Sequence, residues 1–184
     1  MLTRARILGL FEELNDELQR HGTRGDVFLV GGAAMLLAYA ARPSTRDVDA
    51  IWQPSALVRS AAAEVAARHD DLEPDWLNDG VKGFLPGEDL GVRRVVYENN
   101  FLTVSVASPE YLLATKLLAS RVGRDEQDIR YLLGVCGLGT VDEGVALVTR
   151  FYGPRPIEAK VRFLLEEILA DRPPGQGAAE SPEP

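Results

Sequence analysis

The sequence predicts a mixed α/β fold (α+β): a small mixed sheet followed by a C-terminal helical bundle. Three observations predict it. Short apolar runs of strand character alternate with helix-period stripes as far as Val106. The turn Gly31-Gly32 joins one such strand to a helix. From Ser108 onward, helix-period segments follow one another with no further strand signal.

Taken in order, residues 3–21 read as an amphipathic helix with Ile7, Phe11, Leu14 and Leu18 on one stripe and Gly22 as its stop. Residues 26–31, Asp-Val-Phe-Leu-Val-Gly, are a short apolar run suited to a buried strand. Gly31 and Gly32 break it, and residues 33–38 read as a helix. Asp47-Val48-Asp49 then opens a strand to Trp52, with Val48, Ala50 and Trp52 on the buried side. Pro54 starts an Ala-rich helix to about Arg68. Residues 70–91 read as irregular, with an exposed-looking Trp76; they are either a substrate loop or a plain connection. Strands over 92–97 and 101–106 flank Glu98-Asn99-Asn100 as a hairpin. Ser108, Pro109 and Glu110 give a helix start, and helices are expected over about 109–122, 125–136, 141–152 and 156–170. Thr140 with Glu143 spells a capping box. The domain reading is an α/β core with its N-terminal helix over 1–107, a helical part over 108–170 that completes a cleft, and a disordered tail over 171–184.

The chemistry concentrates in two places. Glycines at a strand-to-helix junction let backbone approach a ligand closely, and the free N–H groups of a new helix favour phosphate. Asp47 and Asp49 are two apart, so on a strand both carboxylates point to one face. Two carboxylates there repel each other until a cation neutralises them. Mg²⁺ suits the position because it binds one or two carboxylates and takes other ligands from substrate phosphates. Thr45 and Arg46 precede the pair and are placed to bind phosphate or to orient the carboxylates. Gly-Gly alone reads equally well as a tight turn, and an isolated Asp-x-Asp as a solvated loop; the order of the two, with a helix between them, makes the metal–nucleotide reading.

These residues, Gly31-Gly32 and then Thr45-Arg46-Asp47-Val48-Asp49, resemble the signature of the nucleotidyltransferase fold of the DNA polymerase beta superfamily. The stretch from Ser108 through Lys116 into Arg124-Asp125-Glu126-Gln127-Asp128 is similar to the second half of AbiEii/MenT-type toxins of bacterial toxin–antitoxin pairs. The resemblance covers roughly residues 26–136. It implies a Mg²⁺-dependent nucleotidyltransferase of the NTP-consuming kind, with Asp47 and Asp49 holding the metal and Gly31, Gly32, Thr45, Arg46 and Lys116 holding the nucleotide. It also implies tRNA, through its 3′ end, as acceptor, and a cognate antitoxin protein as partner.

The chain departs from the superfamily on the strand over 101–106, which carries Thr103 and Ser105 where a third carboxylate is expected. The third acid then comes from elsewhere or is absent; the toxin-like resemblance implies Asp125 as the candidate, with Asp128 as an additional one. Each has a plain alternative: Asp125 as a helix cap, and Asp128 paired with Arg124 or Arg121 across a turn. Lys116 lies among Leu112, Leu113, Leu117 and Leu118, where a lysine ordinarily snorkels to the surface.

Composition limits the rest. With 46% hydrophobic residues in 184, one domain can bury a real core. No run reaches the roughly 18 apolar residues of a membrane span, and the opening residues lack a signal peptide's apolar stretch. Cys136 is the single cysteine and reads as a core residue, so the expectation is cytoplasmic. His21 and His69 read as surface residues. The net charge of −8 runs against a simple tRNA binder. The tail, with Asp171, Glu180 and Glu183 against Arg172, carries −2 of it and leaves −6 on residues 1–170. Arg42, Arg46, Lys82, Arg93 and Arg94 could still form a local basic cleft. Two further functions therefore stand beside the tRNA one: transfer to a small molecule or protein hydroxyl, and a non-catalytic member of the fold that only binds nucleotide.

Overall fold

A computed structural model describes residues 1–89, 91–119, 123–154, 156 and 159–171. The expected tail beyond Asp171, the last turn of the helix expected over 109–122, the start of that expected over 156–170, and Arg121 lie outside the described residues. The chain divides into two compact units. The first is Met1–Phe84 with Val92–Ala107; the second is Leu85–Gly91 with the residues from Ser108 on.

The first unit opens with β1 (Leu2–Thr3) and α1 (Arg4–Arg20), whose N-cap Thr3 accepts from the Arg6 N–H. The stripe predicted from spacing, Ile7, Phe11, Leu14 and Leu18, is fully buried. β2 (Gly25–Leu29) leads through Val30 into α2 (Gly31–Tyr39). β3 (Ser44–Thr45), β4 (Val48–Gln53), α3 (Ser55–Ala66), β5 (Leu77–Asn78), β6 (Arg94–Asn99) and β7 (Leu102–Val106) follow.

Five strands form a mixed sheet in the order β5-β4-β2-β7-β6, and β1 pairs with β3 apart from it. β2 runs antiparallel to β4 and parallel to β7; β4 and β5 are parallel; β6 and β7 form the expected antiparallel hairpin. A side chain at Gly25 would meet Leu18 of α1 and Val58 of α3, which fixes the core face of the sheet. Val27 and Leu29, Val48, Ala50 and Trp52, and Leu102, Val104 and Val106 share that face and are buried. Period-2 alternation puts Asp49, Ile51, Phe28, Thr103 and Ser105 on the opposite face, and register aligns Ile51, Phe28 and Ser105 in one row.

Three expectations in this unit are corrected. Trp76 is not exposed: it is 1% accessible, tilted against Phe11 with centroids 6.3 Å apart, and its indole N–H donates to the Ala62 carbonyl at 3.1 Å. The stretch 70–91 is not wholly irregular either, because Val48 N–H donates to the Trp76 carbonyl at 2.7 Å and starts the short β4–β5 ladder. Asp47 lies in a bend just before β4 rather than on it, since the chain must turn from the β1–β3 pair into the main sheet.

Glu17 of α1 ties that helix to α3. Its carboxylate accepts from Arg68 at 2.7 Å and pairs with Arg20. The Arg68 hydrogen bond holds the Glu17 carboxyl below its ordinary 4.5, against the opposing effect of burial. A lowered folded pKa means the bond stabilises the fold above about pH 4.5, and the contribution disappears as pH falls through the folded value. Because Arg68 stays exposed, Glu17→Gln is expected to cost only about 1 kcal/mol at pH 7 and progressively less in acid. Urea melts across pH check this, and a loss that is constant down to pH 3 contradicts it.

The second unit is helical: α4 (Pro109–Ala119), α5 (Glu126–Val135), α6 (Val141–Tyr152) and α7 (Ala159–Ala170). Ser108 accepts from Tyr111 N–H and donates its hydroxyl to the buried Asp89 at 2.7 Å, which brings 85–91 into this unit. The Thr140–Glu143 capping box is present at α6. Cys136 caps α5, and burial pushes its thiol up to about 12, so it stays protonated and unreactive at neutral pH.

Candidate functional site

In the first unit, four of the six sequence-predicted residues, Gly31, Gly32, Thr45 and Asp49, come together at the end of β2. β2 delivers the chain to Val30, whose N–H donates to the Asp49 carbonyl at 3.0 Å, extending the β2–β4 ladder by one step. Gly31 then turns with φ +63, a conformation that disfavours any side chain. A Cβ on Gly31 would fall 2.5 Å from Asp49 Oδ2, and one on Gly32 would fall 2.6 Å from Thr45 Oγ1 and 3.2 Å from Arg42 Nη1. The two glycines therefore bring the start of α2, with its unsatisfied N–H groups, directly against the carboxylate, hydroxyl and guanidinium of the following segment.

The partner side of this turn is held from a distance in sequence. Leu2 pairs with Thr45 and Thr3 with Ser44, so the N-terminal residues fix the strand that carries Thr45, which is buried. Asp47 and Asp49 are both half-buried and lie two residues apart, one in the bend and one on β4. Arg46 between them and Thr45 is exposed. The guanidinium of Arg93 stacks 4.6 Å from the centroid of Phe28, over the same sheet face as Asp49.

This donor set fits a hard divalent cation. Asp49 offers carboxylate oxygens of the kind such a cation takes, and the space a Gly31 side chain would occupy is the space beside Asp49 Oδ2. Gly31→Ala is accordingly expected to lose about 2 kcal/mol, from φ strain and displacement of Asp49 together. It is also expected to impair nucleotide binding. A thermal melt beside a nucleotide titration checks both, and a variant equal to wild type in both would remove the close approach from the site.

In the second unit, the remaining three predicted residues form a buried cluster. Lys116 Nζ lies 2.9 Å from Asp125 Oδ1 and 2.6 Å from Asp128 Oδ2. All three are under 7% exposed. The plain alternative for Lys116, a side chain snorkelling to the surface, does not hold: the helix turns it inward, and two carboxylates offset its burial. Asp125 is the N-cap residue of α5, but its side chain makes no capping bond and goes to Lys116 instead. Asp128 pairs with Lys116 as well.

One residue beside the carboxylates was missed from sequence. Asn78 on β5 is the register partner of Asp49. A two-residue strand has no periodicity to detect; the only available signal is Leu77-Asn78 ahead of the turn sequence Asp79-Gly80.

Outside these clusters, Glu17, His21 and Glu64 bring three ligand-type atoms within 4.8 Å of one another, but Arg68 and Arg20 already hold Glu17 and oppose a cation there. His69, half-buried, bonds Glu13 at 2.8 Å. Among the described residues no helix is long and apolar enough to cross a membrane.

A family model described as "Nucleotidyltransferase of unknown function (DUF6036)" matches residues 5–146. No curated protein and no solved structure matches the chain.

Proposed function

From a chain that belongs to this nucleotidyltransferase family, we propose an enzyme that moves a nucleoside monophosphate from an NTP to an acceptor hydroxyl, the 3′ end of tRNA, as the toxin of a toxin–antitoxin pair. The observation that carries the nucleotide part is the contact of the Gly31-Gly32 turn with Asp49 and Thr45. A helix start that favours phosphate lies beside the Asp49 carboxylate, with Asp47 two residues before it, and this supports a metal–triphosphate reading.

Asp47 and Asp49 would hold Mg²⁺, which when bound neutralises phosphate charge and orients the reacting groups. The chain's own residues do the rest by position. The N–H groups at the start of α2 receive phosphate oxygens, and Thr45 and Arg42 border that space. The acceptor hydroxyl gives up its proton to water, its oxygen attacks the alpha phosphorus, the bond to the bridging oxygen breaks, and pyrophosphate leaves. Such transfers gain their rate chiefly from positioning and electrostatic stabilisation. Lys116 and Asp125 enter this scheme through the resemblance alone.

Support for a nucleic-acid acceptor comes from the toxin-like order of Lys116, Arg124, Asp125 and Asp128, and from Arg93 over the Asp49 face. The net charge of −8 favours a second reading, transfer to a cationic small molecule. Incubation with Mg²⁺, each α-labelled NTP in turn and total tRNA separates them. Label on tRNA, lost in Asp47→Ala, is the expected result and identifies the nucleotide. NTP consumption with no label on tRNA would replace tRNA by another acceptor, and NTP binding without turnover would leave a binding protein.

A further inference from the structure

Asn78 sits beside Asp49 on the side of β4 away from β2. The β4–β5 ladder is parallel, with Val48 opposite Leu77 and Asp49 opposite Asn78. Register partners on neighbouring strands project to the same face, with Cβ atoms about 5 Å apart. Asp49 therefore has the Gly31 turn on one flank and the Asn78 amide on the other.

The amide is held in one orientation. Gly80 N–H donates to Asn78 Oδ1 at 3.2 Å. A backbone N–H can meet only the oxygen, so the nitrogen end must turn away from Gly80. Among the described residues, Nδ2 meets no acceptor. Asn78 is half-buried, so its two N–H donors are accessible without being loose.

The segment that carries it is pinned at three points. Trp76 is buried and bonded to Ala62 of α3. The Trp76 carbonyl receives Val48 N–H. Asp79 pairs with Arg59 of α3 at 2.7 Å, and Arg59 in turn lies over the Trp52 ring. A two-residue strand anchored by a buried tryptophan and an ion pair presents Asn78 at a fixed place beside a proposed metal ligand.

We propose that Asn78 is a substrate-contacting residue whose Nδ2 donates to a phosphate oxygen of the nucleoside triphosphate held at Asp47 and Asp49. The proposal rests on the nucleotidyltransferase reading above. A neutral double donor suits this position: it adds hydrogen bonds to the anionic triphosphate, where a further carboxylate would add repulsion.

Asn78→Asp keeps the acceptor for Gly80 N–H and removes the donor but adds the repulsion of a carboxylate, so Asn78→Ala, which removes the donor without adding charge, is the variant that isolates the donor. Titration calorimetry with a non-hydrolysable analogue of each NTP, in Mg²⁺, reads the result. Expected for Asn78→Ala is a Kd raised about ten- to hundredfold, the scale of a hydrogen bond to a charged group, together with a lowered melting temperature, because it also loses the Gly80 bond. Asn78→Asp should show at least the same Kd rise with an unchanged melting temperature. Wild-type affinity in Asn78→Ala, or tighter binding by Asn78→Asp through an added metal ligand, would overturn the proposal. Wild-type protein that binds none of the four analogues would instead overturn the nucleotide reading on which it rests.

Discussion

Asp49→Ala is expected to lower nucleotidyl transfer by about a thousandfold or more while leaving the fold intact. The magnitude follows from the role. A carboxylate that positions a cation against the transferring phosphate controls several kcal/mol of charge stabilisation, and each 1.4 kcal/mol or so is a factor of ten in rate. The fold is spared because β4 is held by groups the substitution does not touch. Val30 N–H bonds the Asp49 main-chain carbonyl, and Val48, Ala50 and Trp52 stay buried on the other face. The folding free energy should move by no more than about 1 kcal/mol. Single-turnover transfer and a urea melt on the same preparation check both halves. Near-wild-type turnover would take the metal out of this site, and a collapsed melt would make the residue structural.

The second large effect falls on stability. Lys116→Met should destabilise the protein by about 3–5 kcal/mol, because it removes the ammonium with which the buried Asp125 and Asp128 both pair. At 6% exposure the lysine has little water to exchange for the lost pair. The triple variant Lys116→Met, Asp125→Asn, Asp128→Asn removes the stranded charges and should recover most of the loss. Equilibrium denaturation measures each term. A loss below about 1 kcal/mol in the single variant would mean that the cluster is solvated and that Lys116 is available to substrate without breaking a buried pair. The ion pairs thus bear directly on the phosphate-binding role that the resemblance gives Lys116.

Much of the fold was legible because its signals are local. The Ile7–Phe11–Leu14–Leu18 stripe, the Thr140–Glu143 box and the alternation of Val48, Ala50 and Trp52 each depend on residues within a few positions of one another. The close approach of Gly31 to Asp49 was legible in part, since a glycine turn carries its geometry with it, whereas the bend that takes Asp47 off the strand alternation was not. What escaped depends on long-range contacts. Trp76 is buried because Phe11 and Ala62, far from it in sequence, close over it. Lys116 is buried because α5 brings two aspartates to it, and its own helix gives no hint of that. The β5 strand exists only through its pairing with β4, so Asn78 could not be placed beside Asp49 from the sequence.

The measurement that tests the central claim most directly is calorimetric titration of the full chain with a non-hydrolysable NTP analogue, with and without Mg²⁺, in wild type and in the double variant Asp47→Asn, Asp49→Asn. A metal–nucleotide site at the Gly31-Gly32 turn predicts binding by the wild type that requires Mg²⁺ and is lost in the double variant. Binding that survives removal of both carboxylates, or that is indifferent to Mg²⁺, would contradict it.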